Sequence, residues 1–283
     1  MTPLMKRVDL FDTVAPPLRG RFRQLKDVSY GPNAEQVYDL YFPVDGNPNC
    51  PIFVFIPGGA WRRGTKEEYG FVGRRFAANG VITAVISYRL APAAQYPDFI
   101  IDANKAVASV QELAATLNGA SSRLFVGGYS AGAYNAVYMS LESSLRVCGG
   151  PAKGGISGVV SISGVFNIGL LRGAYVRDAF GELAKSADLL PINLVRPGVP
   201  PILFITGDMD RNALPQESID LASALTRVGV YSTVKVYHRS GHKRPICAVA
   251  FPFLDNTVQD CLAFMHGIGL GCSPSTSIAH DLI

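Results

Sequence analysis

Charge is scarce in this 283-residue chain: Asp, Glu, Lys and Arg make up 17% of it, against 48% hydrophobic residues. That balance excludes a disordered polyelectrolyte and fits a globular chain long enough to bury a large core. The net charge of +4 is spread thinly. Its one local concentration is Arg19, Arg21, Arg23 and Lys26, which mostly alternate with other residues. It reads as the solvated face of an edge strand rather than a nucleic-acid patch. Histidine occurs only four times, so a reaction that needs an imidazole has few candidates. The five cysteines, Cys50, Cys148, Cys247, Cys261 and Cys272, form no CxxC pair and no metal-ligand spacing. A reducing, cytoplasmic setting is therefore expected, with neither metal nor organic cofactor. Residues 1–12 lack the apolar run of a secretory leader. The stretch 154–171, which carries no charge, holds five glycines, three serines and an asparagine, which makes a poor membrane-spanning helix.

Short apolar runs alternate with helix-length segments. Residues 21–30 and 36–42, joined by Gly31-Pro32-Asn33-Ala34, read as an opening antiparallel pair. Six further strands are expected at 52–56, 81–88, 123–127, 156–162, 202–206 and 232–237. The first five of these are continuous apolar runs, as strands buried on both faces of a parallel sheet require. Helices are expected at 66–78, 98–118, 131–140, 216–228 and about 256–265. In 98–118, Ile100, Ala103, Val107, Val110, Ala114 and Leu117 recur at spacings of three and four. The pattern predicts an α/β fold, a mostly parallel eight-stranded sheet with helices on both faces. The whole chain, 1–283, reads as one domain. Its one long connection, 165–200, has helical character around 179–187 and reads as a small cap.

Four elements carry chemistry. In Gly128-Tyr129-Ser130-Ala131-Gly132 the serine has glycine at minus two and plus two, directly between a strand and a helix. Glycine is 29 of 283 residues, so about one serine in a hundred matches by chance and the context gives the pattern its weight. Such a turn presents a nucleophilic hydroxyl at the sheet edge. A serine needs an adjacent base. His238 ends a strand, His266 ends a helix and His280 lies in a polar tail, whereas His242 sits in a loop leaving the same edge. The acid that would orient His242 lies in Gly207-Asp208-Met209-Asp210. Asp208 suits a turn-tightening role, and Asp210 is far enough out to swing towards the neighbouring loop. Gly58-Gly59-Ala60 after the strand 52–56, together with Ala131, can offer backbone N–H groups to an oxyanion. Trp61 and Tyr129 would flank the pocket.

These residues together resemble the α/β-hydrolases, within them the carboxylesterase and arylformamidase-like group related to the hormone-sensitive-lipase family. The resemblance rests on Gly58-Gly59-Ala60-Trp61, Ser87-Tyr88-Arg89-Leu90, Gly128-Tyr129-Ser130-Ala131-Gly132, Gly207-Asp208-Met209-Asp210 and Gly241-His242, in the family's order. It implies a serine–aspartate–histidine triad with Asp210 as the acid. The family's oxyanion loop usually reads His-Gly-Gly, and this chain has Pro57 in place of the histidine. Proline fixes its own φ, which is expected to brace the loop by backbone restriction. The expected reaction is hydrolysis of a small-molecule ester or activated amide through an acyl-enzyme on Ser130. An arylformamidase would use the same residues. A non-catalytic ligand-binding member and an acyltransferase or lyase of the same fold stay open at this point.

Overall fold

A computed structural model describes residues 22–44, 50–118, 123–142, 155–171 and 173–268. The expectations for residues 1–12, Arg19, Arg21, Cys148, Cys272 and His280 lie outside these residues. Eight strands form one sheet in the order β1-β2-β4-β3-β5-β6-β7-β8. They are β1 Phe22–Ser29, β2 Val37–Pro43, β3 Ile52–Ile56, β4 Ile82–Ile86, β5 Leu124–Tyr129, β6 Gly158–Ile162, β7 Ile202–Gly207 and β8 Ser232–Tyr237. β1 and β2 pair antiparallel, β2 meets β4 antiparallel, and every pairing from β4 to β8 is parallel. This is the expected sheet.

The apolar runs behave as continuous burial demands. Every residue of β3 to β7 is buried, while the edge strands β1 and β8 keep exposed positions. Arg23 and Lys26 are exposed on β1, at the sheet's edge. One core packs Val54, Ile56 and Val126 against helices α2 Asp98–Asn118, α3 Ala131–Leu141 and α5 Pro215–Arg227. The opposite core packs Phe53, Phe55 and Phe125 against α1 Gly70–Ala77, α6 Arg244–Ala250 and α7 Thr257–Gly267. Each fully buried Phe or Ile contributes about 1.5–3 kcal/mol relative to exposure. On α2 the predicted stripe holds for Ile100, Ala103, Val107 and Val110, all buried.

Three elements differ from expectation. The first helix begins at Gly70, not at residue 66. The Lys66 ammonium turns inward to Asp27, Asp39 and Glu67 at 2.7, 2.9 and 2.6 Å, and its N–H donates to Ser87 Oγ. These tertiary partners outweigh local helix propensity. Helix α6, immediately after His242, was absent from the sequence pattern. Segment 165–200 contains a 3₁₀ turn at Ile168–Leu170, then α4 Ala174–Phe180, then three short 3₁₀ turns, so its helical part starts earlier than 179. It is pinned to the body by Tyr134 Oη donating to Leu189 O, by Tyr138 Oη donating to Asp188 O and by Tyr96 N–H donating to Ala179 O.

Candidate active site

Ser130 is the single residue between β5 and α3, with φ 54° and ψ −117°. A non-glycine residue in this region carries strain of about 1–3 kcal/mol. It is held there by Ser130 N–H donating to Ile162 O and Tyr134 N–H donating to Ser130 O, at 2.9 and 3.0 Å. The flanking glycines are needed for space: a Cβ on Gly128 would overlap the Gly132 carbonyl, and one on Gly132 would overlap Ile56 O. The turn can therefore sit flush against β3.

The loops after β7 and β8 are stitched together before any catalytic contact is made. Asp208 N–H donates to Tyr237 O, and Met209 N–H donates to Ser240 O. Asp208 takes the turn-bracing role: it accepts from Ser240 N–H and pairs with His238 Nδ1 at 2.7 Å. Desolvation pushes its carboxyl up, but the N–H groups of Ser240 and Arg239 and the imidazole outweigh that and hold it below the usual range. Asp210 is 3% exposed. One of its oxygens accepts from Asn212 and Ala213 N–H, both at 2.9 Å. The other faces His242 Nδ1 at 2.8 Å. The opposite ring nitrogen, Nε2, lies 2.9 Å from Ser130 Oγ. With a proton on Nδ1 directed at the carboxylate, Nε2 is free to accept the serine proton.

Beside the serine, Gly59, Ala60 and Trp61 have φ of 142°, 55° and 56°. This run of left-handed conformations turns successive N–H groups out of the chain direction. The N–H groups of Gly59, Ala60 and Ala131 donate to no described residue. Gly58 is needed for close approach, since a Cβ there would overlap Tyr129 O. The loop is braced by two residues that sequence reading had given no role. Tyr88 Oη donates to Pro57 O at 2.9 Å and Tyr69 Oη to Gly58 O at 3.3 Å. Burial pushes both phenols up, which keeps them protonated as donors. The signal was present in Ser87-Tyr88-Arg89-Leu90, but a motif does not say which acceptor a phenol meets.

Trp61 corrects the expectation that it flanks the pocket. It is 1% exposed. Its indole N–H donates to Asn135 Oδ1 at 2.9 Å, and its ring is enclosed by Phe99, Tyr134 and Phe180. The left-handed backbone at Trp61 swings the side chain into the core. Tyr129 does stand at the site, its ring 5.2 Å from the His242 ring. Among the described residues no group of three or more His, Cys, Asp or Glu has the arrangement to hold a metal ion. No described helix is long and apolar enough to cross a membrane.

Comparison with known proteins places this geometry in a family. The BD-FAE family model matches residues 38–225, more than half of the chain. The chain belongs to the BD-FAE family. This BD-FAE member is 27% identical over 241 residues to an isoprenylcysteine alpha-carbonyl methylesterase of Arabidopsis thaliana, covering 77% of this chain and 56% of that one. It is 32% identical over 177 residues to a probable enzyme of the same name in Oryza sativa subsp. japonica, covering 59% and 42%. A kynurenine formamidase of Danio rerio is 25% identical over 154 residues, covering 54% and 50%. The chain thus spans about half the length of the curated relatives it matches. Among solved structures, esterase B from Lactobacillus rhamnosis superposes with a TM-score of 0.81 at 18% identity, covering 94% and 91% of the two chains. That likeness shows the α/β-hydrolase fold.

Proposed function

We propose that this BD-FAE member is a serine hydrolase that cleaves a small carboxylic ester or activated amide through an acyl-enzyme on Ser130. The observation that carries the reading is the relay Ser130 Oγ, His242, Asp210, with contacts of 2.9 and 2.8 Å. In the proposed reaction His242 Nε2 takes the Ser130 proton as Oγ attacks the carbonyl carbon. The N–H groups of Gly59, Ala60 and Ala131, with Gly58 contributing, bind the oxygen that becomes negative. Asp210 keeps the imidazole in its working tautomer and stabilises its charged form. His242 then returns the proton to the leaving alcohol or amine, and water repeats the sequence to release the acid. The chain acts as one domain with 165–200 as its cap, in a cytoplasmic setting, and needs neither metal nor organic cofactor.

The formamidase alternative is favoured by one specific observation, the zebrafish relative's name, and the same residues would serve it. A panel of p-nitrophenyl esters of graded length, run beside N-formylkynurenine, separates the two. Turnover of short esters that vanishes in Ser130→Ala supports the esterase reading. Turnover of N-formylkynurenine alone transfers the proposal to the formamidase, and no Ser130-dependent turnover of either class refutes both.

A further inference from the structure

Arg62 N–H donates to Gly59 O at 3.2 Å, which closes a turn with Ala60 and Trp61 at its centre. Both central residues have positive φ, 55° and 56°. Turns of that kind ordinarily hold glycine, asparagine or aspartate at these places. Alanine and tryptophan do not favour this backbone, so their surroundings must impose it. The turn carries the N–H groups of Gly59 and Ala60, two of the donors proposed above for the oxyanion.

Trp61 is held at both its backbone and its ring. Its carbonyl accepts from Ala91 N–H at 2.7 Å, and its indole N–H donates to Asn135 Oδ1 at 2.9 Å. Phe99, Tyr134 and Phe180 pack around the ring, but its one polar bond goes to Asn135. Asn135 is fully buried on α3, one turn beyond Ala131. Residues four apart share a helix face, and helical side chains lean towards the helix N-terminus. Asn135 is therefore on the same face as Ala131, which offers the third N–H. One side chain links the turn after β3 to the helix that starts at the nucleophile.

This bond adds little to stability. Asn135 Nδ2 is enclosed and has no hydrogen-bond partner among the described residues. A buried amide that makes one bond and strands a donor gains little net free energy from the exchange. What the bond fixes is geometry. We infer that Asn135 is a positioning residue: through Trp61 it holds the Gly59 and Ala60 N–H groups in register with that of Ala131. The inference deepens the acyl-transfer reading above and rests on it.

The test measures kcat and KM for whichever p-nitrophenyl ester or N-formylkynurenine the wild type turns over, and Ki for an alkylthio trifluoromethyl ketone. Ser130 Oγ adds to the carbonyl carbon of that ketone, His242 takes the serine proton, and the carbonyl oxygen becomes an oxyanion. Since one well-placed donor is worth about 10²–10³ in rate, Asn135→Ala should lower kcat about tenfold or more and weaken the ketone by a similar factor. KM should stay within about threefold, because the loss falls on the transition state. Trp61→Phe keeps a packed ring and removes the N–H, so it should lower kcat similarly; it carries the test alone if Asn135→Ala does not fold. Adding Asn135→Ala to Trp61→Phe should cost less than about threefold more, since both remove one bond. Ser140→Ala removes a buried hydroxyl bonded to Val137 O on the same helix and should keep kcat within about twofold. A kcat within about twofold of wild type in Asn135→Ala or Trp61→Phe overturns the inference and leaves the hydrolase reading standing. So do losses that multiply in the double variant, a loss confined to KM with the ketone bound as tightly as before, or an equal loss in Ser140→Ala. Absence of Ser130-dependent turnover of the esters and of N-formylkynurenine overturns the hydrolase reading itself.

Discussion

Tyr88 and Pro57 are joined by a buried hydrogen bond, the Tyr88 hydroxyl donating to the Pro57 carbonyl oxygen at 2.9 Å. Proline at this position has no side-chain group to brace the loop that follows. The brace comes instead from a tyrosine on the connection after β4, acting on the backbone. Removing it leaves a buried carbonyl short of a partner, at a cost of about 1–3 kcal/mol. Tyr88→Phe is expected to lower kcat by about tenfold or more with little change in KM, because a displaced oxyanion donor is worth about 10²–10³ in rate. Pro57→His should change kcat little. A hundredfold rise in Pro57→His would show that the native loop is poorly formed.

The two aspartates of the β7 loop should separate cleanly. Asp210→Asn is expected to lower kcat by roughly 10⁴-fold, since the acid fixes the tautomer of His242. Asp208→Asn should act mainly on stability, by about 1 kcal/mol, through its hydrogen bonds to Ser240 and His238. Steady-state kinetics and thermal melts on both variants check this. The reverse pattern would exchange their roles.

Much of this was legible before the structure, and the reasons are local. β3 falls on its expected bounds because the apolar run Ile52–Ile56 suits a doubly buried strand, and β8 does so as an edge strand with exposed positions. Ser130, Asp210 and His242 follow from position, each on a loop leaving one edge of a parallel sheet. Helix α6 was invisible because Ile246, Ala248, Val249 and Ala250 are all buried and leave no polar face to set a helical period. Trp61 was misread because sequence gives its distance from the oxyanion loop but not the left-handed φ of 56° that turns it inward. Tyr69 reaches back 11 residues to Gly58 O, and Glu217 accepts from Phe166 and Asn167 N–H at separations of 51 and 50 residues, which no motif reveals.

Trp61 ties the loop after β3 to segment 165–200 through Phe180, their rings 4.8 Å apart and nearly perpendicular. Trp61→Ala is expected to destabilise the fold by about 3–5 kcal/mol. A double-mutant cycle with Trp61→Phe and Phe180→Leu should give a coupling of about 0.5–1.5 kcal/mol, read by denaturant unfolding. Additive losses would mean that the loop after β3 and segment 165–200 are independent.

Glu217 accepts from the N–H groups of Phe166 and Asn167 at 2.7 and 3.0 Å, where the segment after β6 begins. Burial pushes its carboxyl up, the two N–H groups pull it down, and the charge of Asp210 adds to the rise. A carboxyl raised on folding stabilises the fold most below its unfolded pKa, and that contribution is lost as pH rises through the folded value. Glu217→Gln keeps an acceptor and removes the charge. Its Tm relative to the wild type should therefore be more favourable at pH 7.5 than at pH 4.5. A difference that is the same at both values, or larger at the lower, would show that the charge of Glu217 carries no such cost.

An activated serine is the claim on which everything else depends, and a fluorophosphonate probe followed by peptide mapping measures it most directly. The adduct should fall on the peptide containing Ser130, be absent in Ser130→Ala and form far more slowly in His242→Ala. No adduct on Ser130, under conditions that label a control serine hydrolase, would contradict the assignment.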